Sequence, residues 1–170
     1  MIRVVCNASP IIGLIIIKNL KLLWELFDEV LIPHAVYEEL TCNRTLYRLH
    51  INEINNAIHS GKIKIFYVKN QEFIKQLYGR LHTGELEVIV GAKEQGIRTV
   101  IIDERAARNF ASSMLLDTLG IIGVLQLAKT NNKITEIRQY LDELIRNHYR
   151  ISTELYDKAL EKAGEKKALA

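Results

Sequence analysis

Glycine-rich phosphate loops are missing from this chain: no GxGxxG follows an apolar run, and no GxxxxGK[ST] occurs. Nucleotide-cofactor binding by a standard loop is therefore excluded. No serine sits in a GxSxG elbow, and His34, His50, His59, His82 and His148 show no metal-ligand spacing. The two cysteines, Cys6 and Cys42, form neither a disulfide framework nor a zinc motif. Cys6 falls in an apolar run and reads as a buried thiol, which fits a reducing, cytoplasmic compartment. There is no block of like charges, and the net charge of +3 permits an anionic partner without demanding one. Long apolar runs are absent too. Ile11–Ile17 is the longest candidate, about a third of the roughly 20 residues that a membrane span needs. Lysines follow it and no cleavage pattern does, so neither a membrane partner nor a targeting segment is expected.

What remains is ordinary globular material. The chain has 170 residues, 48% hydrophobic and 25% charged, enough for one domain with a proper core. Val4–Cys6 reads as a strand, and Ser9 as the cap of a helix opening on Pro10. Leu20–Phe27 reads as a helix, Val30–Ile32 as a strand and His34–Leu40 as the helix after Pro33. A helix over Leu46–Ser60, with Leu46, Leu49, Ile54 and Ile58 on one side, leads to an edge strand over Lys64–Val68. A short helix spans Gln71–Tyr78. Later come a helix over Arg105–Ser113, a short strand at Leu115–Leu116 and a helix over Ile121–Lys129. Ile134, Ile137, Leu141, Leu144 and Ile145 make an apolar stripe. Ser152 caps a last helix with Leu155, Ala159 and Leu160 inward. Short buried strands alternating with helices predict an α/β sandwich with a mainly parallel sheet. The expected domain covers residues 1–164, including a C-terminal helical extension, and 165–170 form a frayed tail.

Gly84–Arg108 carries the chemistry. A helix opens on Glu85, stops at Gly96, and is followed by the apolar strand Val100–Ile102, which ends in Asp103. Ligands of open α/β sheets sit outside the carboxyl ends of the strands, so Asp103 marks a candidate site. Asn7 ends the first strand and faces the same edge. Glu85 alone needs no metal, because a first-turn carboxylate is favoured by the helix dipole. Asp103 alone can cap the next helix. Their convergence is what points to a site. Hard oxygen ligands around one cleft suit Mg²⁺ or Mn²⁺ rather than zinc, and such an ion serves phosphodiester hydrolysis.

The pieces VVCNASPIIGL, EVLIPHAVYEEL, TGELEVIVGA, TVIIDERAARNFA, LGIIGVLQLAK and YRISTELYDKALEKAGE run in order from Val4 to Glu165. Together they resemble the PIN domain, the fold of many metal-dependent ribonucleases, including VapC-type toxins. The resemblance implies a three-layer α/β/α sandwich and four acidic positions around one or two Mg²⁺ or Mn²⁺ ions. Those positions match Asn7, Glu39 (with Glu38 as the register alternative), Glu85 (with Glu87 as its rival) and Asp103. The departure is Asn7, where PIN nucleases typically carry aspartate; an amide offers a carbonyl oxygen but no charge. The resemblance also implies an RNA substrate, a small antitoxin partner and a homodimer. Arg105 and Arg108, on neighbouring positions of one helix face, are candidates for the RNA backbone, with Lys75 and Arg80 extending a basic rim. With no aromatic interleaving, sequence-specific stacking of bases is not expected. The competing reading is a PIN-like module that binds RNA or a protein with little turnover, for which Asn7 argues.

Overall fold

A computed structural model of the chain describes residues 1–42, 48–77, 79 and 81–165, with the side chains of 48–50 left aside. Its centre is a five-stranded sheet in the order β3-β2-β1-β4-β5, parallel at every pairing. The strands are β1 (Arg3–Cys6), β2 (Glu29–Pro33), β3 (Lys64–Phe66), β4 (Thr99–Ile101) and β5 (Asp117–Leu119). Val4, Val5, Cys6, Val100 and Ile101 are wholly inaccessible, as strands covered by helices on both faces must be. The architecture is the α/β sandwich with a parallel sheet that the alternation of elements predicts, in the three-layer α/β/α form that the resemblance implies. β3 lies at an edge, as expected.

The helices between strands are α1 (Ala8–Ile16), α2 (Leu22–Leu26), α3 (His34–Cys42), α4 (Arg48–His59), α5 (Gln71–Gln76), α6 (Thr83–Glu94) and α7 (Arg105–Ser113). After β5 come α8 (Ile121–Thr130), α9 (Arg138–Arg146) and α10 (Thr153–Lys162). The start of α4 expected at Leu46, the side chain of Leu49, the end of the α5 segment at Tyr78, and Arg80 lie outside the described residues.

Several boundaries differ from the sequence reading, each for a local reason. α1 begins at Ala8 with Asn7 as its N-cap, not at Pro10 after Ser9. Pro10 still sits in the first turn, where no backbone N–H has an intrahelical partner. The strand expected at Leu115–Leu116 begins instead at Asp117. Leu115 is spent ending α7: it adopts φ 60°, and Leu116 N–H returns to Ala111 O at 3.0 Å. Leu155 and Ile145, assigned inward, are each 43% exposed. Ser152 does cap α10, accepting from Leu155 N–H at 3.2 Å.

Glu165 is not frayed. Its carboxylate accepts from Lys129 Nζ at 2.7 Å, Ile137 N–H at 2.7 Å and Arg138 N–H at 3.0 Å. The segment after α10 is thereby tied to the start of α9; residues 166–170 lie outside the described ones. Desolvation pushes the Glu165 pKa upward, but these donors outweigh it and hold the carboxyl below its ordinary value.

The strand order decides where a ligand can sit. The chain runs outward from β1 through β2 to β3, then crosses back to place β4 on the other side of β1. The carboxyl ends of β1 and β4 therefore flank the topological switch point, where adjacent connections diverge and leave a crevice. Asn7 N–H donates to Ile101 O at 2.9 Å, closing the sheet at that point.

Candidate functional site

A cleft of about 910 Å³ opens at the switch point, and its lining includes Asn7, Glu39, Glu85 and Asp103. All four positions singled out in the sequence meet there. Each arrives by a different local rule.

Asn7 stands between β1 and α1 and is 5% exposed. As an N-cap it would ordinarily bond a first-turn N–H through its side chain; here it makes no such bond. Its Oδ1 is buried with no hydrogen-bond partner. Glu85 is the third residue of α6, also 5% exposed, and its Oε2 accepts from His82 N–H at 3.0 Å. That bond is the helix-start chemistry the sequence implies, and it leaves lone pairs free because each carboxylate oxygen has two. Glu39 comes from α3 and stands at the rim of the cleft. Desolvation raises its pKa, the charge of Glu85 adds to the rise, and His82 opposes it.

Gly84 leaves room for Asn7 and Glu39 at the start of α6. A Cβ at that position would lie 3.1 Å from Glu39 Oε2, 3.6 Å from Val36 Cγ2 and 3.7 Å from Asn7 Oδ1. The glycine leaves a small cradle bounded by two of the candidate oxygens. Gly84→Ala is expected to fold with a melting temperature within about 2 °C of wild type, since the nearest atom is the end of a flexible side chain. It should nonetheless weaken Mn²⁺ binding several-fold, read by calorimetric titration; unchanged affinity would show that the cradle is irrelevant.

Asp103 closes the opposite wall. Its Oδ1 accepts from Ile121 N–H, the first of α8, at 2.8 Å, and its Oδ2 accepts from the Tyr149 hydroxyl. Burial raises the Asp103 pKa, against the Tyr149 bond, the Ile121 N–H and the nearby Arg108 charge. Burial also raises the Tyr149 pKa, with the Asp103 charge and hydrogen bond adding to it, so the phenol stays a donor. A Cβ on Gly120 would meet Asp103 Oδ1 at 2.9 Å and Arg108 at 3.2 Å, so this glycine too admits the carboxylate.

Neither register alternative lines this cleft. Glu38 is exposed, 3.8 Å from His34 Nδ1, and lines an adjoining pocket with Glu39, His82 and Gly84. Glu87 is buried at 7% exposure, but on another side of α6, where it accepts from Ala35 N–H and Gln71 Nε2, each at 3.3 Å. It caps the start of α3 rather than facing the cleft. Glu87→Ala should cost about 1–3 kcal/mol by leaving the Ala35 N–H and the Gln71 amide without that acceptor. Metal affinity should be untouched; a loss of affinity equal to that of Glu85→Gln would reverse the assignment.

The basic candidates fare less well. Neither Arg105 nor Arg108 lines the cleft: Arg105 is exposed on α7, and Arg108 stands beside Asp103 and Gly120. Lys75 on α5 is exposed and away from the lining. The residues the sequence reading missed are Tyr149, His148 and Arg150, on the turn between α9 and α10, and Ser9. The only signal for Tyr149 and Arg150 was the YRIS opening of the last matched piece, and for Ser9 its place in the first; His148 falls in neither.

These donors fit a hard divalent cation. They are all oxygens, with three carboxylates to supply charge and one buried carbonyl oxygen that lacks a partner. Among the described residues no three His, Cys, Asp or Glu side chains gather by themselves into a metal-holding cluster. The fit therefore rests on the oxygen chemistry of the lining and on the buried, partnerless Asn7 Oδ1, not on a ready-made cluster of carboxylates. A family model, DUF3368, described as a PIN domain, matches residues 3–165. No curated protein matches the chain.

Proposed function

The chain belongs to the PIN-domain family, a family of nuclease type, and from that premise we propose that it is a Mg²⁺- or Mn²⁺-dependent endoribonuclease acting on single-stranded RNA. The observation that carries this reading is the partnerless buried Oδ1 of Asn7 in the cleft it shares with Glu39, Glu85 and Asp103. A buried carbonyl oxygen without a hydrogen bond is costly, and a bound cation would satisfy it.

Asn7, Glu39, Glu85 and Asp103 would hold the ion. When bound, it supplies an activated water and neutralises charge developing on the phosphate. The chain's own contribution is positional. Ile121 N–H and the Tyr149 hydroxyl fix the Asp103 carboxylate from two sides, and His82 N–H fixes Glu85. Burial and the nearby Glu85 charge disfavour the ionised form of Glu39, a cost that a bound cation would relieve. By family analogy the protein acts as the toxin of a toxin–antitoxin pair, restrained by a small antitoxin, as a cytoplasmic homodimer. Its working unit is one domain, expected over residues 1–164 and extended by Glu165, whose carboxylate is tied into the fold.

A second reading keeps the cleft without the turnover: a PIN-like module that binds RNA or a protein. The neutral amide at Asn7 favours it, because it removes one negative charge from the ligand set. The test is cleavage of a labelled single-stranded RNA by the purified chain, with Mn²⁺ and with EDTA. Cleavage that needs Mn²⁺ and disappears in Glu85→Gln supports the nuclease. Binding of RNA without cleavage under any metal selects the module.

A further inference from the structure

The cleft holds several carboxylates, and a nucleic-acid backbone brought to it needs positive charge close by. Among the described residues lining it, the one lysine or arginine is Arg150. Arg150 is exposed and, among the described residues, no acid pairs with it. Its position follows from how α9 ends. Asn147 is the C-cap and His148 takes φ 64°. His148 N–H bonds Ile145 O at 3.0 Å, and Tyr149 N–H returns to Leu144 O at 2.9 Å. This is the pattern of a helix closed by a left-handed residue, and it sets the direction of the next side chain. The Tyr149 ring then seats on α1: a Cβ at Gly13 would lie 3.0 Å from Tyr149 Cε2 and 3.4 Å from Leu144 Cδ2. The Tyr149 hydroxyl is committed to Asp103. A turn held at both ring and hydroxyl fixes the backbone that presents Arg150 at the cleft, while its side chain stays exposed and available to a ligand.

We propose that Arg150, on the turn anchored by Tyr149, is a phosphate-binding residue that holds the backbone of single-stranded RNA at the mouth of the cleft. This rests on the reading of the cleft as an RNA site, and it assigns to Arg150 the role that the sequence alone gives to Arg105 and Arg108. Guanidinium suits the task, since its planar donors match two phosphate oxygens.

The experiment measures binding of the full chain to a fluorescein-labelled single-stranded oligoribonucleotide in EDTA, over a salt titration, so that no cleavage intervenes. Arg150→Ala should weaken binding about fivefold and lower the magnitude of the slope of log K against log salt by roughly 0.7, the value for one phosphate contact on a single strand. Arg150→Lys should keep the slope, because the charge remains. Arg105→Ala should change neither quantity. Equal affinity and slope for Arg150→Ala and wild type overturn the proposal, as does an Arg150→Lys slope as low as that of alanine. If wild type cleaves or binds RNA while Arg150→Ala is unaffected, this assignment alone fails. If wild type shows no RNA binding or cleavage, the ribonuclease reading falls and takes this with it.

Discussion

Asn7→Asp is expected to bind Mn²⁺ more tightly by about tenfold or more, and to be less stable than wild type when metal is withheld. Both effects have one source. The side chain is 5% exposed, and its Oδ1 has no partner. Converting the amide to a carboxylate places a buried charge near Glu39, whose carboxyl desolvation already disfavours in its ionised form. An uncompensated buried charge costs several kcal/mol, so a loss of about 2–3 kcal/mol without metal is expected. For a chain of this size that corresponds to a fall in melting temperature of roughly 5–10 °C. Added Mn²⁺ supplies the missing partner, and binding to the folded state alone raises stability in proportion to RT ln(1 + [L]/Kd). The signature is therefore a crossover: Asn7→Asp melts below wild type in EDTA and gains more from Mn²⁺. Cleavage should rise with it. A variant equally stable in EDTA and no tighter for Mn²⁺ would remove Asn7 from the site.

Asp103→Ala carries the second large effect, and here stability and function fall together. The substitution leaves Ile121 N–H at the start of α8 without its acceptor, and the half-buried Tyr149 hydroxyl without its own. Each unsatisfied group costs about 1–3 kcal/mol, so a total near 2–5 kcal/mol is expected by chemical denaturation. Asp103→Asn separates the two roles. Its amide retains an acceptor for Ile121 and a polar partner for Tyr149, so most of the stability should return. Activity should not. Loss of a partner behind a metal ligand costs about 10–100-fold, and loss of a ligand's charge should cost at least as much. A stable Asp103→Asn chain with wild-type cleavage would place the chemistry elsewhere in the cleft.

The parts of the site that were legible in the sequence are those fixed by local chemistry. Asn7 and Asp103 follow apolar runs, and a parallel sheet sends the ends of such runs to one edge. Glu85 is a first-turn acid, a position that the chain marks with His82-Thr83-Gly84. Glu39 had no local mark, because an acid near the end of an amphipathic helix is ordinarily just solvated. Only the family resemblance singled it out. The choice between Glu85 and Glu87 was illegible for a different reason. From Gly84 to Ala92 α6 is buried on every side, so it has no polar face to separate two acids two positions apart. Tyr149 was the hardest. Its contact with Asp103 depends on how α9 ends and on a glycine in α1, neither of which periodicity reveals. The strand misplaced at Leu115 has a related cause. Leu115 has an apolar side chain, but the helix before it needs a left-handed residue to stop.

The sheet order has a consequence for how the molecule comes to be folded. β1 is central, yet its partner β4 joins Cys6 to Ile101, residues more than half the chain apart. The segment bearing Tyr149 lies later still. Pairings this distant in sequence meet their loop-closure entropy before any contact rewards it, which makes them slow. β1, β2 and α3 can bring Asn7 and Glu39 together early, but the Glu85 and Asp103 walls join them only after the middle of the chain has crossed over. The Asp103 wall is braced only once α9 has turned Tyr149 inward. Completion of the cleft is thus expected late in folding, with Asp103 kept from the other three positions until β4 has paired with β1.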